Sequence, residues 1–257
     1  MAAQKIAMVT GAGTGVGRAA AHALMKAGYT VVLTGRRKDK LEEVAKEGAA
    51  FGGKSLCVSA DIADPASIKN LFTETKKAFG RLDVLFNNAG VGAPAVPLEE
   101  LPFDKWKAAV DTNLTGTFLC TQAALPDMLR AKHGRIVNIA STAGQKGYAY
   151  VSAYVAAKHG VIGLTRSLAL EVATKGVTVN AVCPGYTETD ILRDSIANVV
   201  AKTGRSEEEA RAEFAAGNPQ RRIAAQPAHR VGHLAGLHDA AAAITGQSIS
   251  VSSGEVM

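Results

Sequence analysis

Short apolar runs rich in β-branched residues alternate along this chain with longer stretches whose apolar positions recur at helical spacing. The runs at 5–10, 30–34, 55–59, 83–86, 135–140, 177–182 and 248–251 read as about seven strands. The stretches at 15–27, 38–50, 65–79, 103–131 and 153–174 read as amphipathic helices. Runs such as IAMV and RIVNIA lack regular polar alternation, so these strands are expected to be covered on both faces. Strands separated by helices imply right-handed crossovers and a parallel sheet with helices on either side. The expectation is one doubly wound α/β domain over residues 1–257. One stretch, 187–222, fits no strand–helix unit. It is polar, Glu-rich and helix-prone around 206–216, and longer than a connection needs, so a substrate lid is expected there.

Composition narrows the function classes. At 257 residues, 47% hydrophobic and 20% charged, the chain can bury a sizeable core as a globular protein. No apolar run reaches the ~18–20 residues of a membrane span, and the first ten residues read as a strand rather than a leader. A cytoplasmic protein without membrane contact is expected. The net charge is +6, but Lys and Arg are spread rather than clustered. That argues against nucleic acid and suits small anionic ligands such as dinucleotides or acyl thioesters. Cys57, Cys120 and Cys183 are far apart and free of metal-ligand spacing, as for small buried hydrophobes in a reducing compartment.

The first strand runs into Thr10-Gly11-Ala12-Gly13-Thr14-Gly15-Val16-Gly17, and a helix follows. Glycines here allow a tight turn and a close approach of backbone to a pyrophosphate, with the amides of the helix N-terminus aimed at the anion. Glycines also serve ordinary turns. Their place between strand and helix, opening a βαβ unit, is what makes the motif a dinucleotide site of a Rossmann-like sheet. After the second strand an acidic residue would bind the ribose hydroxyls of NAD(H). This chain instead has Gly35 followed by Arg36 and Arg37. A guanidinium suits a phosphate dianion, so NADP(H) is favoured while NAD(H) stays open.

Further along come Asn87-Asn88-Ala89-Gly90, Asn113, Ser141 and Tyr154-Val155-Ala156-Ala157-Lys158. A tyrosine four residues before a lysine on a helix shares its face. A free phenol, with a pKa of about 10, carries protons poorly at neutral pH. A lysine cation ~4 Å away would stabilise phenolate by up to ~4 kcal/mol and lower that pKa by as much as ~3. Tyr154 is therefore the candidate acid/base for moving a proton as a hydride moves.

The ordered set TGxxxGxG, NNAG, Ser141 thirteen residues before Tyr154, YxxxK and Pro184-Gly185 resembles the short-chain dehydrogenase/reductase superfamily across essentially the whole chain. The resemblance is greatest to 3-ketoacyl reductases, polyketide ketoreductases and hydroxyacyl-CoA dehydrogenases. It implies roles residue by residue. Tyr154 resembles the acid/base, Ser141 the holder of the substrate oxygen, Lys158 the lysine on the nicotinamide ribose, and Asn113 the one that positions a relay water. Cofactor contacts are implied for Gly11, Thr14, Gly15, Val16 and Gly17, for Arg36 and Arg37, and for Asp61 and Ile62 near the adenine. Asn88, Ala89 and Gly90 are similar to residues beside the adenosine ribose. Pro184, Gly185, Thr187 and Thr189 are similar to residues that receive the carboxamide. The expected reaction is hydride transfer between a nicotinamide dinucleotide and a ketone or secondary alcohol, in a homo-tetramer. Relatives assemble through helices corresponding to 103–131 and 153–174. A dinucleotide-binding sensor without turnover is the competing class, although such proteins are expected to lose Tyr154, Lys158 or Ser141.

Two departures stand out. NADP-binding members often carry a basic residue where this chain has Thr14, which shifts phosphate selection to Arg36 and Arg37. Between 226 and 238 the expected amphipathic helix is replaced by a Gly- and His-rich segment, either a local frame error or a genuine variation. Its His229 and His233 have i,i+4 spacing but no carboxylate partner, so no metal is expected. Lys132 and Lys175 fall where carrier-protein reductases keep docking residues, and equally fit a plain solvated surface.

Overall fold

The structure, a computed structural model, describes residues 4–224 and 242–257. The departure at 226–238, with His229 and His233, lies outside the described residues. Among the described residues the strands are β1 (Ile6–Thr10), β2 (Thr30–Gly35), β3 (Lys54–Ser59), β4 (Val84–Asn87), β5 (Gly134–Ile139), β6 (Val177–Pro184) and β7 (Ser248–Val251). They form one sheet in the order β3-β2-β1-β4-β5-β6-β7, parallel throughout. The chain reverses its direction of winding between β1 and β4, which opens a crevice at their C-terminal ends.

The helices are α1 (Gly15–Lys26), α2 (Lys38–Ala49), α3 (Pro65–Phe79), α4 (Phe103–Val110), α5 (Gly116–Ala131), α6 (Ser152–Val172), α7 (Asp190–Thr203) and α8 (Glu207–Ala216). Every residue of β1 is buried, and its alternate side chains serve two cores. Ile6 and Met8 belong to a cluster with Leu71 of α3, Met128 of α5 and Val172 of α6. Ala7 and Val9 belong to the opposite one, with Leu24 of α1 and Val44 of α2. Each such aliphatic side chain contributes roughly 1.5–3 kcal/mol by leaving water, which explains why these strands lack polar alternation.

Some polar side chains inside the sheet pair with one another. Asn87 donates to Asn138 Oδ1 at 2.9 Å and to Thr121 Oγ1 at 3.0 Å, and Asn138 donates to Thr165 Oγ1 at 2.9 Å. This chain of amides locks the last residues of β4 and β5 to α5 and α6. Asp83 accepts from the Ile6 amide at 2.7 Å and from Arg81 at 3.0 Å, fixing where β1 and β4 enter the sheet.

One expectation changes. The stretch 103–131 is not one helix but α4 and α5 joined by a π-turn, Asp111–Thr115, that contains Asn113. The widened turn places the Asn113 amide where it donates both to Ala109 O and to Val91 O, each at 2.9 Å. Such turns break the regular ladder where a side chain is needed elsewhere. Gly116 then lets α5 start against Ile62, whose Cδ1 would lie 2.7 Å from a Cβ at that position.

Segment 187–222 is helical. Thr189 starts α7 and a Ser206/Glu209 capping box starts α8. Leu192, Ile196 and Ala210 form a small core of their own with Tyr186, Phe214 and Ile223. The two ends of the segment are pinned together by a parallel bridge, Thr187 to Ala224. Among the described residues no helix is long and apolar enough to cross a membrane.

Candidate active site

The turn after β1 is built from close backbone approaches. Gly11 has φ +65° and Gly15 φ +54°, conformations that favour glycine. A Cβ at Gly17 would overlap the Gly11 carbonyl oxygen and lie 2.5 Å from Asn88 Nδ2. Asn88 in turn donates to Thr10 O at 3.0 Å and Gly11 O at 3.2 Å. The amides of Asn88 and Ala89 both donate to Thr10 Oγ1. The glycine turn and the NNAG loop are thus one stitched unit across β1 and β4. Thr14 is the N-cap of α1 with no side-chain cap bond, and the first turn holds no acidic residue. Uncapped helix amides above a glycine cradle are the donor set a pyrophosphate requires.

The remaining dinucleotide candidates line the same edge. Arg36 and Arg37 are exposed beyond β2, and Arg37 Nη2 reaches Thr14 Oγ1 at 3.4 Å. Asp61 closes a tight turn by accepting from the Ala63 amide at 2.9 Å, while Ile62 is buried under α5. A Cβ at Gly90 would sit 2.6 Å from Asn113 Oδ1, so that glycine admits the asparagine. Asn113 Oδ1 also accepts from the Val91 amide at 3.2 Å. The Asn113 side chain therefore clamps the backbone at Val91. Pro184 ends β6, Thr187 donates to Gly185 O at 3.0 Å, and Thr189 donates to Thr187 O at 3.2 Å.

Ser141 follows β5 and caps a short 3₁₀ turn by accepting from the Ala143 amide at 3.1 Å, which leaves its hydroxyl proton to donate elsewhere. Gly144 lets this turn press on α6, since a Cβ there would meet Lys158 O at 2.7 Å. That contact brings Ser141 into hydrogen-bonding reach of Tyr154. Lys158 Nζ lies 5.5 Å from the centre of the Tyr154 ring and donates to Ile139 O at 2.8 Å. Ser141, Tyr154 and Lys158 meet at the C-terminal edge of the sheet, the edge that also carries the glycine turn.

The proton energetics differ from the expectation. Burial pushes the Tyr154 phenol up, with the Ser141 hydrogen bond opposing it. Lys158 is itself buried, which lowers its pKa to about 8, and its ammonium is engaged by a carbonyl on the strand. Spacing put the two side chains on one face correctly, but the lysine's first partner is the backbone of β5.

Four residues were not anticipated. Tyr148 donates to Glu255, takes a hydrogen bond from Thr142 at 2.7 Å, and has its pKa raised by burial and by that carboxylate. Lys146 pairs with Glu255 at 3.1 Å. The Glu255 side chain is only 2% exposed, and its Oε2 has no hydrogen-bond partner among the described residues and would lie 3.0 Å from a Cβ at Gly185. A lone Glu in the polar stretch after the last strand was the available signal. Tyr186 packs edge-on against Phe214 of α8 at 4.9 Å.

The family model for short chain dehydrogenases matches residues 5–200. The chain belongs to the short-chain dehydrogenase family. It is an oxidoreductase acting between a carbonyl and a secondary alcohol. A 3-oxoacyl-[acyl-carrier-protein] reductase of Synechocystis is 39% identical to this dehydrogenase, with 98% of this chain and 97% of that protein covered. A D-beta-hydroxybutyrate dehydrogenase of Rhizobium meliloti is 38% identical over 97% and 98% of the two chains. Among solved structures, actinorhodin polyketide ketoreductase with NADPH superposes with a TM-score of 0.93 at 35% identity, covering 98% of this dehydrogenase and 97% of that chain.

The buried lysine makes stability depend on pH. Its pKa falls from 10.5 to about 8 on folding, so the folded dehydrogenase binds fewer protons than the unfolded chain between those values and gains stability as pH rises through them. Below that window the charged lysine costs about 3 kcal/mol, partly offset by ~1 kcal/mol from its bond to Ile139. Lys158→Met should therefore melt no lower than wild type at pH 7 by calorimetry, and its advantage should shrink towards pH 10. A lower melting temperature at pH 7 would contradict this ledger.

Proposed function

We propose that this dehydrogenase reduces a ketone of the 3-ketoacyl type, or oxidises the matching alcohol, with NADP(H) preferred over NAD(H). The observation that carries the reading is the meeting of Ser141, Tyr154 and Lys158 beside an uncapped helix N-terminus at the crevice of the sheet. The residues present fit the dinucleotide. Gly11, Thr14, Gly15, Val16 and Gly17 would hold the pyrophosphate, Arg36 and Arg37 the 2′-phosphate, and Asp61 with Ile62 the adenine. Asn88, Ala89 and Gly90 would flank the ribose, and Pro184, Gly185, Thr187 and Thr189 the carboxamide. When bound, the cofactor supplies or accepts the hydride.

Ser141 and Tyr154 direct two hydroxyl donors at one substrate oxygen, where negative charge develops as the carbonyl carbon is reduced. Tyr154 then gives its proton to that oxygen. A phenol kept protonated by burial is a ready donor in this direction. The reverse direction needs a cation to stabilise phenolate, and Lys158 is the cation at hand. Asn113 acts as a positioning residue by holding the 90–91 backbone against the ribose side of the crevice.

The 3-ketoacyl assignment is supported by the two near-full-length relatives, whose names specify a 3-oxoacyl and a β-hydroxy acid substrate. Exposed Phe103 at 76% and Leu170 at 82% on α4 and α6 support a homo-tetramer built through those helices. Light scattering should report four copies at micromolar concentration, and a monomer would refute it. We place the protein in the cytoplasm.

Tyr154→Phe should lower kcat by a hundredfold or more, roughly the worth of a positioned general acid, while the dissociation constant for NADP(H) stays within about twofold. A variant that keeps most of its turnover on a 3-ketoacyl thioester would remove Tyr154 from its role. Replacing Arg36 and Arg37 together by Ala should raise the Michaelis constant for NADPH by ~10-fold or more and scarcely affect NADH. Equal use of both cofactors by the native enzyme would contradict the preference.

The α7–α8 unit is the proposed lid over the substrate. Its support is the pinned base at Thr187 and Ala224, a small core separate from the main ones, and light contact with the opposite wall, where Lys202 donates to Ala95 O at 3.0 Å. Hydrogen exchange in α7 should slow markedly when cofactor and substrate analogue are both present. Equal, strong protection in both states would mean a fixed wall.

A further inference from the structure

We propose that Asp190 tunes the cofactor selectivity of this chain by competing with the adenosine 2′-phosphate for Arg37. This rests on the NADP(H) reading above. Arg37 stands at the N-cap of α2, and its Nη2 lies 3.9 Å from Asp190 Oδ2 and 3.4 Å from Thr14 Oγ1. Asp190 is the first residue of α7, so the ion pair runs from the far end of the dinucleotide crevice to the first turn of the lid. The same carboxylate takes a 2.6 Å hydrogen bond from Arg193 and another from the Thr14 hydroxyl. Neighbouring Thr189 would touch a Cβ at Gly15 at 3.3 Å. The carboxylate therefore stands between the arginine assigned to the 2′-phosphate and the helix N-terminus assigned to the pyrophosphate.

The guanidinium has one exposed fork and two anions to serve. A phosphate dianion takes bidentate hydrogen bonds that a carboxylate 3.9 Å away does not, so the phosphate wins the exchange. The exchange is inexpensive for Asp190, which keeps Arg193 as its cation. NAD(H) has no 2′-phosphate and leaves the Arg37–Asp190 pair intact. The loss of that pair therefore falls on the phosphorylated cofactor alone. In this chain the acid that disfavours the 2′-phosphate is not at the end of β2, where Gly35 sits. It is supplied from the lid.

Calorimetric titration with adenosine 2′,5′-bisphosphate and with 5′-AMP tests this without turnover, on the wild type, Asp190→Asn, Arg37→Ala and the double variant. Both side chains are largely exposed, at 61% and 48%, so the variants should fold normally. The bisphosphate/monophosphate affinity ratio should rise about two- to fivefold in Asp190→Asn, the worth of an exposed ion pair. In the Arg37→Ala background the same replacement should leave the ratio unchanged. An unchanged ratio in Asp190→Asn, or an equal gain with and without Arg37, overturns the competition while leaving the cofactor reading intact. A wild type that binds the two nucleotides equally, and is indifferent to Arg37→Ala, overturns the cofactor reading and this inference with it.

Discussion

The interlock of the Gly11–Gly17 turn with Asn88 is the contact on which the rest of the site depends. Where Gly17 passes the Gly11 carbonyl and the Asn88 amide there is no room for a Cβ, so α1 is drawn down onto the gap between β1 and β4. That gap is the point where the sheet reverses its winding, and every strand ends on the same side of it because all are parallel. Asn88, Ser141 and Gly185, which follow β4, β5 and β6, thus stand at one edge. Pairing of Asn87 with Asn138 keeps the ends of β4 and β5 level, so the loops beyond them start from a fixed height.

A second constraint is the cost of putting a lysine under that edge. Lys158 is buried with a carbonyl for a partner, and Tyr154 is kept protonated by the same dry surroundings. The dehydrogenase thus holds two groups whose charged forms burial disfavours. Such strain is expected where a site is preorganised for charge that develops only in the transition state.

The strands were legible because both faces of each are buried, so their apolar runs are unbroken and bounded by turns. Their observed limits differ from expectation by a residue or two. The helix at 103–131 was read as continuous because apolar periodicity persists through Asp111–Thr115, and a π-turn shifts phase too little to interrupt it. Motif spacing was enough to assemble Ser141, Tyr154 and Lys158. It said nothing about what each side chain bonds to first, and the competition of Ile139 O for the lysine was therefore invisible. Tyr148 and Glu255 escaped for a different reason. They lie 107 residues apart, and a pairing at that distance leaves no local pattern.

The Glu255 contact also bears on the order in which the site is completed. A nascent chain that has emerged through α6 already carries Ser141, Tyr154 and Lys158, with β5 and the Gly144 contact to align them. Its Tyr148 and Lys146 still lack their carboxylate, which is synthesised some hundred residues later beyond β7. The Ser141, Tyr154 and Lys158 side chains and the carboxylate partner of Tyr148 are therefore synthesised at different times.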